Sequence, residues 1–412
     1  MTIENGNINS DSCQTSLSEL ATNTPLTAEL EQIFNCIPYR DLLKAMLGKR
    51  TRAFSPLGRP GYDLEVMLKA YLAGYAMGMK NTNDIIRRLQ EDPIFALVCG
   101  FDITKGLPHR TTFNRFFAKL IDFQAMVDQC LNGIATKLHD LLPGFGKIVA
   151  IDPTPVHSHS NPDKKVVSDP QAGWVYKEGK ERKKWEWGYR LHLLTDITYE
   201  LPIAKETTIA AEGETKVILP LLRKAKCELP WFSPEIVIAD PGYDKYEVFE
   251  GIVKEFNAEP IIKHAKALPE ITGSPAAPFC PAGLPLIYRR WDKNKGLQYQ
   301  CPERAGRASC PLPEKCRLKT VWVRPVHDYR RFGYRIRRGS EQWKELYHRR
   351  PATERVNSRL KDKRRLDSHC FRGLDKMNLH NTFSVLVMQA MALTYAQAGK
   401  LDKVRISARR IA

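Results

Sequence analysis

Glu354 is the residue to begin with, because its neighbours are unusual. The stretch YHRRPATERVNSRLK puts Tyr347 seven residues before it, Arg350 four before it and Lys361 seven after it. At about 3.6 residues per turn, those offsets bring all four side chains to one helical face. Pro351 suits a first helical turn, so the stretch also predicts a kink that leaves Tyr347 and Arg350 on a turn of their own. A carboxylate set among cations can bind a metal ion beside a phosphodiester whose phosphates the cations hold. The plainer alternative is a solvated basic helix carrying an ordinary surface glutamate.

Two further acids share a different pattern. The apolar run KIVAID delivers Asp152, and EIVIAD delivers Asp240. Each run reads as a short buried strand stopped at once by proline, Pro153 and Pro241. Either aspartate alone could be a turn residue or a helix cap. Three acids in order, two at strand ends and one on a helix, are a set of hard oxygen ligands for divalent cations.

The spacing Tyr-x2-Arg-x3-Glu-x6-Lys, with IDPTPV around Asp152 and DPGYD after Asp240, resembles the signature of insertion-sequence transposases of the DDE superfamily. The resemblance covers about residues 40 to 395. It implies an α/β, ribonuclease-H-like mixed sheet with flanking helices, an all-helical N-terminal domain and a β-rich insertion. It further implies DNA cleavage at transposon ends and transfer of the 3′-hydroxyl strand into target DNA. On this reading Asp152, Asp240 and Glu354 hold two Mg²⁺ (or Mn²⁺), and Tyr347, Arg350 and Lys361 contact DNA. The implied partners are double-stranded DNA, as terminal repeats and as target, and a second copy of the chain in a synaptic homodimer. The competing readings are a metal-dependent nuclease without strand transfer and an inactive DNA-binding derivative. An RNA-binding protein would explain the charge but not the acids.

The charge supports a polyanionic partner. The 412-residue chain has a net charge of +18. Residues 317–372 carry 18 Lys and Arg against 6 Asp and Glu, so 12 of the 18 excess charges surround Glu354. A catalytic acid in a basic field suits a substrate made of phosphates. No apolar run reaches membrane-spanning length, and MTIENGNINSDSCQTSLSEL lacks the form of a secretory signal. The expected location is the cytoplasm, at the nucleoid, with no membrane partner.

The elements that must position these residues follow in order. Residues 1–27 read as a flexible leader and 28–140 as a helical DNA-binding domain. Within it, Asp63, Asn81 or Thr82, and Thr111 are the expected helix caps. The three short helices begun by these caps, with a basic cap region before Thr111, fit either a helix-turn-helix-like DNA reader or a plain bundle. Residues 141–263 and 340–400 read as the catalytic domain. Its strands are expected at KIVAID, near 188–195, at ELPIAKETTIA after a turn at Glu200, at EIVIAD and at PIIKH. An apolar helix over 377–398 closes its core, and the basic tail LDKVRISARRIA is expected to be loose.

Residues 264–339 break the pattern, with frequent Pro and Gly and short β-like pieces. This insertion holds Cys280, Cys301, Cys310 and Cys316, at gaps of 20, 8 and 5 residues. Four thiolates at such spacing can surround one Zn²⁺, although no Cys-x2-Cys occurs. The alternative is four reduced cysteines. His157 and His159, two apart in a loop, are a weaker metal pair, and His192 has no assigned role.

Overall fold

The computed structural model describes residues 24–52, 61–178, 183–265, 270–312, 316 and 318–408. Most of the expected leader lies outside them. Its last residues do not: Thr24 caps α1 (Pro25–Cys36) by accepting from the Thr27 backbone at 3.3 Å. Then come α2 (Arg40–Arg52) and α3 (Leu64–Ala76). Asp63 caps α3 through the amides of Glu65 and Val66, as the sequence predicts. Asn81, not Thr82, caps α4 (Thr82–Glu91), in a reciprocal capping box with Asp84. The short α5 (Pro93–Cys99) leads to α6 (Arg110–Ile121). Thr111 does not cap α6. The His109 ring accepts from the Thr111 amide instead, at 3.3 Å. The helix α7 (Gln124–Leu141) completes this region.

The sheet follows. Its strands are β1 (Ile148–His157), β2 (Gly173–Glu178), β3 (Lys183–Asp196), β4 (Leu201–Ile209), β5 (Ile236–Ala239) and β6 (Glu259–Ile262). Their order is β2-β3-β1-β5-β6, with β4 also paired to β3. β1, β3 and β4 run antiparallel, while β5 and β6 run parallel to β1. This is a mixed sheet, as the resemblance implies. Glu200, at φ 54, makes the turn from β3 to β4. Helices α8 (Ile218–Glu228) and α9 (Tyr246–Phe256) supply the crossovers to the parallel strands.

One expectation about β1 fails for a physical reason. The strand does not stop at Pro153 but runs on to His157. β5 pairs with β1 only from Ile148 to Ile151, whereas β3 pairs with it as far as His157. Beyond Ile151 one edge of β1 is therefore open. Pro153 and Pro155, two residues apart, turn their missing donors to that edge.

The insertion carries a two-residue pair, β7 (Thr272–Gly273) with β8 (Pro278–Phe279). It also carries a three-stranded sheet of β9 (Ile287–Asp292), β10 (Gly296–Gln300) and β11 (Thr320–Val323). It has its own small core of Ile271, Leu286, Tyr299, Leu318 and Val323. The short α10 (Tyr329–Phe332) leads back to α11 (Glu341–His348) and α12 (Pro351–Lys363). Last comes α13 (Leu374–Gln397), buried along most of its length. In its described part, 401–408, the tail is not loose: it forms a 3-10 turn, Val404 is buried, and Arg405 Nε donates to the Thr198 carbonyl at 2.9 Å.

The expected boundary near residue 140 does not divide the core. One apolar cluster runs without a break from Leu30 and Tyr71 through Ile151 and Phe249 to Phe383 and Leu393. α13 lies at its centre, against α1, α3 and α7 as well as β4. Buried polar contacts cross the same seam. The Tyr75 hydroxyl meets His380 Nδ1 at 2.6 Å, and Arg364 Nη1 donates to the Ala76 carbonyl at 2.9 Å.

Candidate active site

The parallel pairing of β1 with β5 builds the site. Its last partners are Ile151 and Ala239. Asp152 and Asp240 are the next residues on each strand, so the two carboxylates leave neighbouring strands at the same level, about 5 Å apart in the backbone. Asp240 then caps the turn Pro241–Tyr243, its Oδ1 accepting from the Gly242 amide at 2.8 Å. Gly242 leaves room for a second acid. A Cβ there would stand 2.7 Å from Glu214 Oε2 and 2.9 Å from Asp240 Oδ1.

Glu354 comes from across the cleft. Pro351 is the first residue of α12, so Glu354 lies in its first turn, while Tyr347 belongs to α11. The single face expected for all four signature residues is thus two helices, as the proline foretold. Asp152, Asp240, Glu214, Glu354, Arg190 and Arg350 together line a cleft of about 410 Å³. Arg350 bridges the acids: its Nη1 is 3.4 Å from Asp152 Oδ1, and its Nη2 bonds Glu354 Oε1. Asn357, one turn past Glu354, donates to Asp152 Oδ2 at 3.1 Å. Arg190 pairs with Glu214 at 3.0 Å.

The electrostatics record a shortage of positive charge. Burial pushes Asp152 up to about 7, and Asp240, Glu354 and Glu214 add to the shift against the pull of Arg350. Burial also raises Asp240 and Glu214, with Asp240 contributing to the latter. Tyr243 lies beneath them fully buried, with no hydrogen-bond partner for its hydroxyl among the described residues. Burial and the three nearby acids hold its phenol far above the usual range. Oxygen donors that resist ionising together are a fitting set for a divalent cation, which would relieve the repulsion. As the side chains stand, no group of three or more His, Cys, Asp or Glu closes to metal-ligand distance among the described residues. Arg350 occupies the space between Asp152 and Glu354.

The remaining expected residues fall as follows. Lys361 sits beside the cleft, fastened to the Pro155 carbonyl at 2.8 Å and to Asp367 at 3.0 Å. Tyr347 stacks on Trp343, with ring centres 5.4 Å apart. Cys280 and Cys301 are buried within the insertion, Cys310 and Cys316 are half-buried, and all four are free thiols. No three of them close to metal-ligand distance among the described residues. His157 and His159 are exposed. His192 is buried, bonded to Thr208 at 3.1 Å, and lowered to about 4 by burial and by Arg190. Beside the cleft, Trp174, Tyr176 and Trp185 form an exposed aromatic ladder on the β2–β3 hairpin.

Sequence reasoning missed Glu214, Arg190, Asn357 and Tyr243. Asn357 was within reach, because three residues past Glu354 is the same helical face. Glu214 sits in a short 3-10 turn with no local signal of its role.

Residues 143–388 match the family model for the transposase DDE domain, and residues 18–119 match a transposase domain model (DUF772). No curated protein matches the chain. Among solved structures, the cryo-EM piggyBac transposase synaptic complex with hairpin DNA is similar at 10% identity, with a TM-score of 0.40. The match covers 96% of this chain and 79% of that one. The first family model spans more than half of the chain, so the chain belongs to the DDE transposase family. It is a DNA transposase, and its family works with divalent metal ions.

Proposed function

We propose that Asp152, Asp240 and Glu354 are the metal-binding acids of DNA cleavage at transposon ends and of transfer of the freed 3′-hydroxyl into target DNA. The observation that carries this reading is the β1–β5 register, which sets Asp152 beside Asp240 while α12 brings Glu354 to the same cleft. The acids would hold two divalent cations, Mg²⁺ or Mn²⁺, which supply charge for in-line displacement at phosphorus.

The chain's own residues do the rest. Glu214, held by Arg190, adds negative charge to the site and keeps the arginine oriented. Asn357 fixes one oxygen of Asp152 and leaves the other toward the cleft. Arg350 holds Asp152 and Glu354 together before substrate arrives. It exchanges these contacts for a DNA phosphate once the acids have their cations. Lys361 and Tyr347 border the same path and contact the backbone. No side chain forms a covalent bond to DNA in this scheme, so none is needed as a nucleophile. The assembly that pairs two transposon ends is a dimer of the chain.

The deciding experiment uses labelled DNA bearing the element's own ends plus a target plasmid, with Mg²⁺ or with EDTA. Cleaved ends joined to plasmid in Mg²⁺ alone support the reading. Cleavage without joining supports the nuclease alternative, and cleavage that persists in EDTA refutes the assignment of the acids.

A further inference from the structure

Four residues past Lys361 the chain does something costly. Arg365 adopts φ 66, a left-handed backbone that residues with a side chain rarely take up. Its guanidinium is buried, 4.6 Å from the centre of the Tyr75 ring, with Nη2 donating to the Lys80 carbonyl at 3.0 Å. Its Nε and Nη1 have no hydrogen-bond partner among the described residues. Burial depresses its pKa, and no carboxylate closes an ion pair with it there. A buried cation left without an acid weakens a fold unless something else meets it.

Arg365 lines a pocket of about 310 Å³ that is separate from the acid cleft. One wall comes from the N-terminal helices, through Asn114 and Phe117 of α6. The other comes from Phe371 and Arg372 in the segment after α12 and from Lys376 at the start of α13. No acidic residue lines it. Arg372 and Lys376 are exposed, and neither forms an ion pair among the described residues. Phe117 and Phe371 stack at 4.4 Å, with Phe117 buried and Phe371 half-buried at the pocket wall.

Three cations without an acid complement an anion, and the aromatic wall beside them complements an apolar ring. A nucleotide unit of DNA carries both, as phosphate and deoxyribose. We propose that this pocket, between α6 and the segment after α12, seats a backbone phosphate of the DNA outside the cleft. The proposal rests on the chain's action on DNA but not on the role of the three acids. A phosphate seated here touches both halves of the chain, so it sets the path of the duplex relative to the cleft.

The test uses the full chain in EDTA, with DNA binding titrated against salt. The double variant Arg372→Ala, Lys376→Ala changes only exposed side chains. Its slope of log affinity against log salt should fall by about 1, the share of one phosphate, and its affinity at 0.1 M salt by about tenfold or more. Arg365→Gln should move in the same direction, with its melting temperature recorded to separate binding from folding. A slope and affinity equal to the wild type in the double variant overturn the proposal. So does inorganic phosphate raising the melting temperature of the wild type, but not of the double variant, while the DNA slope stays unchanged, because the pocket then takes a free anion. Asp152→Asn and Glu354→Gln proteins should keep the wild-type slope. If the wild type fails to cleave in the Mg²⁺ assay above and the double variant still loses slope here, the catalytic reading falls and this one stands.

Discussion

Helix α12 carries ionic contacts on two sides, and they differ in kind. On one side, Arg355 and Arg359 close on Glu200, at 2.6 Å and 2.7 Å. Burial works against the Glu200 charge, but the two arginines more than offset it and hold the carboxyl below its usual value. On the other side, Asp152, Asp240 and Glu214 are all raised, with Arg350 and Arg190 too few to neutralise them. The first arrangement is complete within the protein. The second leaves its acids in excess, and on the proposed reading cations from outside complete it. An ion pair that serves the fold satisfies its own charges, and one that serves chemistry leaves a surplus.

The largest effect expected from this contrast is catalytic. Asp152→Asn, Asp240→Asn and Glu354→Gln should each lower cleavage by about 10³-fold or more, with DNA affinity within about twofold of the wild type. Quantitative cleavage and equilibrium binding check both halves of the statement. Full cleavage by Glu354→Gln would show that α12 does not supply a ligand.

Stability comes next in size. Glu200→Gln leaves two arginines without their acid and should cost about 2–4 kcal/mol in urea unfolding, nearer the lower figure because Arg355 is largely exposed. Glu354→Gln should cost far less. Equal losses would erase the distinction between the two sides.

The pH dependence sharpens the same point, with opposite signs. Asp152 titrates at about 7 when folded, against about 4 unfolded, so folding takes up a proton between those values and stability falls as pH rises across them. Without divalent metal, Asp152→Asn should therefore be more stable than the wild type above pH 7, by about 4 kcal/mol for a shift of about three units, and equal to it below about pH 4. Glu200 is shifted downward, so its contribution is present above about pH 4 and lost as pH falls through its lowered value. Glu200→Gln should be the less stable protein at pH 8, with the gap closing in acid. Melting curves from pH 3.5 to 8.5 in EDTA read both trends, and an Asp152→Asn protein no more stable at pH 8 than at pH 4 relative to wild type would contradict the first.

The smallest effect concerns Lys361. It is already tied to Pro155 and Asp367, so Lys361→Ala should weaken DNA binding by only about three- to tenfold. A larger loss measured by titration would mean that it leaves those contacts on binding.

The three acids were legible because their signals are local: an apolar run ending in aspartate, and a helical spacing of cations about a glutamate. What lay beyond reading depends on register and on partners far away in sequence. Pro153 looks like a strand breaker until β5 is seen to end one residue before it is needed. Glu214 joins the cleft only because Gly242 lacks a side chain. His109, not Thr111, caps α6, because a ring nitrogen can accept from the amide two residues on. The basic tail folds back because Val404 finds the core and Arg405 finds the Thr198 carbonyl, neither of which composition reveals. The continuity of the core was the largest omission, since a helical stretch followed by strands reads as two domains whether or not their apolar faces meet.

That continuity bears on how such a chain can change over generations. α13 lies against helices from the first third of the molecule and against the catalytic sheet alike, so no position between them separates two self-sufficient parts. A crossover between two related elements near residue 141 would join halves of unlike cores, and the hybrid would have to repack the surroundings of Tyr75, Phe383 and Leu393 before it could fold. Substitution at exposed positions leaves that shared core untouched, whereas exchange of either part does not.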